Sequence, residues 1–177
     1  MAAVPFNTCD LCLACGLCCN GVLFKDVELQ PADDADILVV LGLPLKIAHR
    51  GKQSLAKAPQ PCAALCADNR CRIYADRPQR CRQFECALFK NVAAGETKSD
   101  QALKTIRTTR QRAEKVRRLL RELGDTDEQL ALSLRFQRMR RRLERSGFDE
   151  SSAETFGELT LAVHALNVLL SSEFYPV

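Results

Sequence analysis

The ten cysteines of this chain all lie between Cys9 and Cys86, and the second half holds no thiol. They fall into two groups: Cys9, Cys12, Cys15, Cys18 and Cys19, then Cys62, Cys66, Cys71, Cys81 and Cys86. Such a chain must cross-link its thiols, bury them as small apolar groups, or give them to a metal. The opening residues, MAAVPFNTCD, lack a basic stretch followed by a long apolar run, so no export signal is expected. The longest apolar run, Ile37 to Leu45, is broken by Gly42 and Pro44 and is too short to span a bilayer. A cytoplasmic protein with no membrane partner is therefore expected. In a reducing compartment patterned thiols serve as metal ligands or redox groups rather than as disulfides. Cysteines buried for packing alone usually occur singly. Metal binding is the favoured reading.

Cys12, Cys15, Cys18 and Cys19 form a C-x2-C-x2-C-C element. Two-residue spacing lets two thiolates converge on one ion while the amides of the intervening turn face the sulfurs. Gly16 and Gly21 give the backbone the freedom such turns need. Adjacent Cys18 and Cys19 project in different directions. Either they bridge two centres, or one ligates and the other packs. Cys62, Cys71, Cys81 and Cys86 form the second set, with Cys66 between them, in the segment CAALCADNRCRIYADRPQRCRQFEC. Together the expected ligands, Cys12, Cys15, Cys18, Cys19, Cys62, Cys71, Cys81 and Cys86, suffice for two four-cysteine sites. Cys9 and Cys66 fit the pattern least. All-cysteine ligation suits zinc and an iron–sulfur cluster alike, a four-iron four-sulfur cluster included.

Of the two histidines, His49 sits in a basic stretch and reads as a solvated group. His164 sits in the apolar part of the last helix and reads as a core residue. Neither supports a catalytic zinc site. Tyr74, Arg77 and Arg82 are the polar residues nearest the cysteines. They are the candidates for cofactor contact, since arginine donates hydrogen bonds to thiolates and holds anions. The plainer reading, slightly preferred, pairs Arg77 with Asp76 or Glu85 and packs Tyr74.

The pattern predicts a mostly α chain: an irregular cysteine-rich metal-binding head over residues 1–98, then antiparallel helices over 99–177 packed on it. Residues 1–30 read as cysteines and turn-formers with a short strand within Val22–Leu29, and 31–41 as a helix opened by Pro31 and its aspartates and stopped by Gly42. Residues 43–61 read as loop. Asp76 with Gln79 resembles a capping box, placing Cys81 near the start of a short helix. Leu103, Ile106, Ala113, Val116, Leu120 and Leu123 form a helical stripe ending at Gly124. Boxes at Thr126 with Gln129 and at Ser151 with Glu154 should open the next two helices.

Residues 101–146 hold 14 Lys or Arg against 6 Asp or Glu, in a chain of net charge +4. The preferred reading is a solvated helix face with internal pairs such as Glu144 to Arg140 or Arg141. A nucleic-acid or protein partner for these helices is the alternative. Against nucleic acid stand the absence of a DNA-reading motif and an aromatic content of 6% with no Trp.

In order and spacing these residues resemble the CxxCxxCC cysteine-cluster family, also called YkgJ-type, whose proposed role is chelation of zinc or iron. Its C-x2-C-G-x-C-C element matches Cys12, Cys15, Gly16, Cys18 and Cys19. Cys62 matches its distant cysteine. Its last element matches Cys71, Ile73, Tyr74, Arg77, Pro78, Cys81, Arg82, Phe84 and Cys86. The resemblance spans about residues 12–86 and leaves the Arg-rich helices outside it. It implies a metal-binding protein with a structural or redox centre. It also implies an alternative, because similar domains occur in flagellin lysine N-methylases: an iron–sulfur, S-adenosylmethionine-dependent protein-lysine N-methyltransferase. No separate glycine-rich cofactor fingerprint accompanies the match.

Overall fold

A computed structural model describes residues 8–50, 53–147 and 149–175. The described residues are mostly helical, with one small sheet. The long helices are α5 (Ser99–Glu122), α6 (Leu132–Ser146) and α7 (Glu150–Glu173). In α5, Ala102, Ile106, Thr109, Ala113, Val116 and Leu120 recur every three or four residues and are all buried, which is the helical period expressed as one packed face. Leu159, Ala162, Leu166 and Leu170 do the same in α7, which packs along α5.

The helix starts differ from those the sequence suggests. Thr126 does not open α6, which begins at Leu132. The intervening turn is organised by buried Asp125, whose carboxylate accepts from the Asp127 N–H at 3.1 Å, Arg135 Nε at 3.3 Å and Arg138 Nη2 at 2.5 Å. These bonds supply the order that a capping box would have given. Likewise α7 is capped by Asp149, not Ser151: its carboxylate accepts from the Ser152 N–H at 2.7 Å, and the Ser152 hydroxyl accepts from the Asp149 N–H at 3.1 Å. His164 lies on the exposed outer face of α7 rather than in the core. His49 is exposed as expected, 3.2 Å from the Ser54 hydroxyl. The expected pair of Glu144 with Arg140 forms at 3.4 Å.

Residues 43–61 are not a loop. They contain β2 (Lys46–Arg50) and β3 (Gln53–Pro59), which with β1 (Asp26–Glu28) make an antiparallel sheet in the order β1-β3-β2. Small alanines among basic residues hide the strand pattern. Val27 stands opposite buried Ala58, while Lys57 reaches Asp26 at 3.5 Å and Glu28 at 3.8 Å. Helix α2 (Ala35–Val40) is shorter than expected. Asp34 caps it by accepting from the Ile37 N–H at 3.0 Å. Asp33 is diverted instead to the Gln30 and Gln79 N–H groups, both at 2.7 Å. The Gln79 bond replaces the expected Asp76 box at the start of α3 (Gln79–Gln83).

Two cores result. The smaller gathers Leu29, Leu38, Leu43, Ala58, Ala64 and Ile73 around the sheet. The larger joins the inner faces of α5, α6 and α7 to residues from the beginning of the chain, among them Leu11, Leu17, Val22 and Leu23. Gly21 marks the junction. Its carbonyl accepts from the Leu132 N–H at 2.8 Å, and a Cβ there would stand 3.0 Å from the Ala131 Cα and 3.2 Å from the Pro61 Cδ.

Candidate metal centre

The first cysteines lie on a helix, not in a turn. Helix α1 (Thr8–Cys15) places Cys12 and Cys15 three residues apart, on one face. Gly16 ends it at φ 66°, its N–H donating to the Cys12 carbonyl at 3.0 Å. The Cys19 and Asn20 N–H groups then both donate to the Gly16 carbonyl, at 3.1 and 3.0 Å. This tight turn carries Cys18 and Cys19 on successive positions while Leu17 anchors it in the larger core.

The second group is tied to the first through the backbone: the Cys62 N–H donates to the Cys19 carbonyl at 2.7 Å. The loop between Cys66 and Cys71 folds back onto α1, where Asn69 Nδ2 donates to the Leu13 carbonyl at 2.7 Å. Cys81 rides on α3, whose start is fixed by Asp33. Cys86 caps α4 (Ala87–Ala93), with its sulfur accepting from the Phe89 N–H at 3.4 Å. Phe84 is held in an edge-on contact with Phe24 at 4.9 Å between ring centroids.

Burial is the main force on these thiols, and their neighbours sort them. Burial pushes Cys15 up to about 12 despite a hydrogen bond from Leu17, and Cys86 and Cys12 push the same way. Cys18 is raised by burial, then by Cys15, Cys19, Cys86 and Cys12. Burial pushes Cys19 up to about 12, with further pressure from Cys62, Cys81 and Cys71. Burial pushes Cys81 up to about 11, aided by Cys62 and Cys71. Cys62 and Cys86 are raised by burial too, opposed by amide hydrogen bonds from Ala64 and Leu65 to the first and from Phe89 to the second. Deprotonating such a cluster calls for a compensating cation.

Among the described residues, no three His, Cys, Asp or Glu side chains already form a closed ligand set. The fold supplies neighbourhood rather than a finished coordination sphere. The donor chemistry nevertheless fits a thiophilic metal: soft sulfurs, amide N–H groups directed at several of them, and few competing carboxylates. The side chain of Cys9 lies outside the described residues. Cys66 is exposed and does not figure among the main influences on the other thiols.

The polar candidates behave differently from one another. Arg77 is not paired with Asp76 or Glu85. Its guanidinium lies 3.7 Å above the Tyr74 ring centroid, and its Nε donates to the Tyr74 carbonyl at 3.0 Å. Its charge also eases ionisation of Cys19 and Cys81. Tyr74 is 61% exposed rather than packed away. Arg82 is exposed on α3. Two arginines escaped the sequence reading. Arg72 favours the Cys62 thiolate, and Arg110, from α5, favours that of Cys15 while Nη1 donates to the Ala14 carbonyl at 2.8 Å. No motif could have pointed to Arg110, which meets α1 only through the packing of the long helices.

Comparison with curated proteins and with solved structures gives no match. A family model does match, over residues 11–117, more than half of the chain. That model describes a domain whose proposed role is chelation of zinc or iron, and it extends past the last cysteine to include most of α5. The chain therefore belongs to the CxxCxxCC family.

Proposed function

We propose that this chain holds zinc or an iron–sulfur centre through Cys12, Cys15, Cys18, Cys19, Cys62, Cys71, Cys81 and Cys86, in a centre that is structural first and redox-active if iron is the metal. The observation carrying this reading is the backbone bond from the Cys62 N–H to the Cys19 carbonyl at 2.7 Å, which ties the two cysteine segments together. Cys15 is buried and Cys18, Cys19, Cys62, Cys71, Cys81 and Cys86 are partly buried, and thiols in such number have no packing purpose that alanine would not serve. A bound metal supplies positive charge, so that the sulfurs persist as thiolates at neutral pH. Hydrogen bonds from the Phe89, Ala64 and Leu65 amides orient sulfurs and spread their charge. Arg77 and Arg110 add fixed positive charge from two sides. A cytoplasmic location belongs to the same reading, because exposed thiol ligands persist where the surroundings are reducing.

Metal analysis and a visible spectrum of the anaerobically purified chain test it. Stoichiometric zinc in a colourless protein, or iron with inorganic sulfide in a coloured one, is the expected result. A chain purified without either, and taking up neither on reconstitution, would end the proposal.

A further inference from the structure

We propose that the eight cysteines form two separate four-thiol centres, divided between the adjacent residues Cys18 and Cys19: Cys12, Cys15, Cys18 and Cys86 in one, and Cys19, Cys62, Cys71 and Cys81 in the other. This rests on the metal-binding reading above and deepens it, by stating which thiols share a metal.

Three observations carry the division. The first is packing. Cys15, Cys18 and Cys86 lie in or against the larger core, with the long helices, whereas Cys62 and Cys71 lie against the smaller core, with the sheet. The second is backbone geometry. Helix α1 sets Cys12 and Cys15 on one face, and the turn on the Gly16 carbonyl advances the chain by one residue between Cys18 and Cys19. One residue of helical turn rotates a side chain by about 100°, so adjacent thiols leave the turn towards different neighbours. The Cys62 N–H then reaches the Cys19 carbonyl, on the second centre's side. The third is the placement of Cys81, which rides on α3; that helix packs against β1 and its start is held by Asp33, so Cys81 falls on the sheet side with Cys62 and Cys71. On the other side, Arg110 from α5 donates to the Ala14 carbonyl, next to Cys15.

Anaerobic titration of the metal-free full chain with cobalt(II) tests this, because sulfur-to-cobalt absorption counts four-thiolate sites whatever the native metal. Two equivalents are expected. Cys86→Ser should halve the absorption, and serine keeps a favoured helix cap there. Cys71→Ser should also halve it. The pair Cys86→Ser with Cys18→Ser should leave the same half, and Cys86→Ser with Cys71→Ser should abolish it. A single equivalent in the unaltered chain overturns the division, as does a half-signal surviving in the Cys86/Cys71 pair. A chain binding no cobalt, zinc or iron overturns the metal-binding reading itself. Iodoacetamide mapping of the unaltered chain during gradual metal withdrawal needs no substitution. The thiols should become reactive in two blocks with the membership given above; Cys18 and Cys19 labelling together, with all eight in one block, would refute the division even if the variants failed to fold.

Discussion

At Gly16 a Cβ would stand 2.5 Å from Asn69 Oδ1, and φ is 66°. Asn69 cannot simply swing aside, because its Nδ2 holds the Leu13 carbonyl. Gly16→Ala should therefore cost left-handed strain plus a hydrogen bond, about 2–3 kcal/mol together, read as a shift in urea denaturation of the metal-loaded chain. The thiols themselves set a pH dependence. In the metal-free fold Cys15, Cys19 and Cys81 are raised from 9.0 to about 12, about 12 and about 11. A raised thiol favours the fold while it stays protonated. Its contribution is complete below the unfolded value and is lost as pH rises through the folded one. The metal-free chain should thus lose stability from about pH 9 upward, while the loaded chain, which needs thiolates, should lose metal as pH falls. Denaturation of the two forms side by side should show the loaded chain gaining stability up to about pH 9 and the metal-free chain losing it above that point, and parallel profiles would contradict the assignment.

Among the elements, α5 and α7 were legible in sequence because each buries one face, and burial of one helical face writes a 3.6-residue period into the chain. The caps were less legible, since an aspartate read as a local cap can be spent at long range, as Asp33 is on Gln79. The strands β2 and β3 were missed for another reason: the residues that β3 turns to the smaller core are Ala56 and Ala58, too small to stand out beside Lys57. The turn into α6 rests on a buried ion pair, with the Asp125 and Arg135 side chains each 2% exposed. Removing one partner strands a charge. Arg135→Met should cost about 3 kcal/mol, the low end for such a loss, because Arg138 continues to pair with Asp125. Thermal unfolding followed by circular dichroism would measure it, and a neutral result would mean the pair contributes nothing net.

Over the whole molecule, the cysteine spacing marks the candidate ligands, but the allotment proposed for them depends on a turn and a backbone bond that spacing does not encode. The larger core also reaches back to Leu11, Leu17, Val22 and Leu23, so the long helices hold one side of the cysteine-rich part even without metal. The other side has only the small core and the sheet. Metal removal should therefore open residues 62–86 to protease first, with most of the helical signal retained; equal resistance with and without chelator would show that metal is not structural. The Gly21 junction has a further consequence, for which sequences the fold can accept. Segments far apart in the chain, at Pro61 and Ala131, close on that one α-carbon and leave no volume for a side chain. A saturation library at position 21, sorted for folded protein, should return glycine alone. The same library at Gly95, where φ is also 77° but nothing lies within 4 Å, should return asparagine as well.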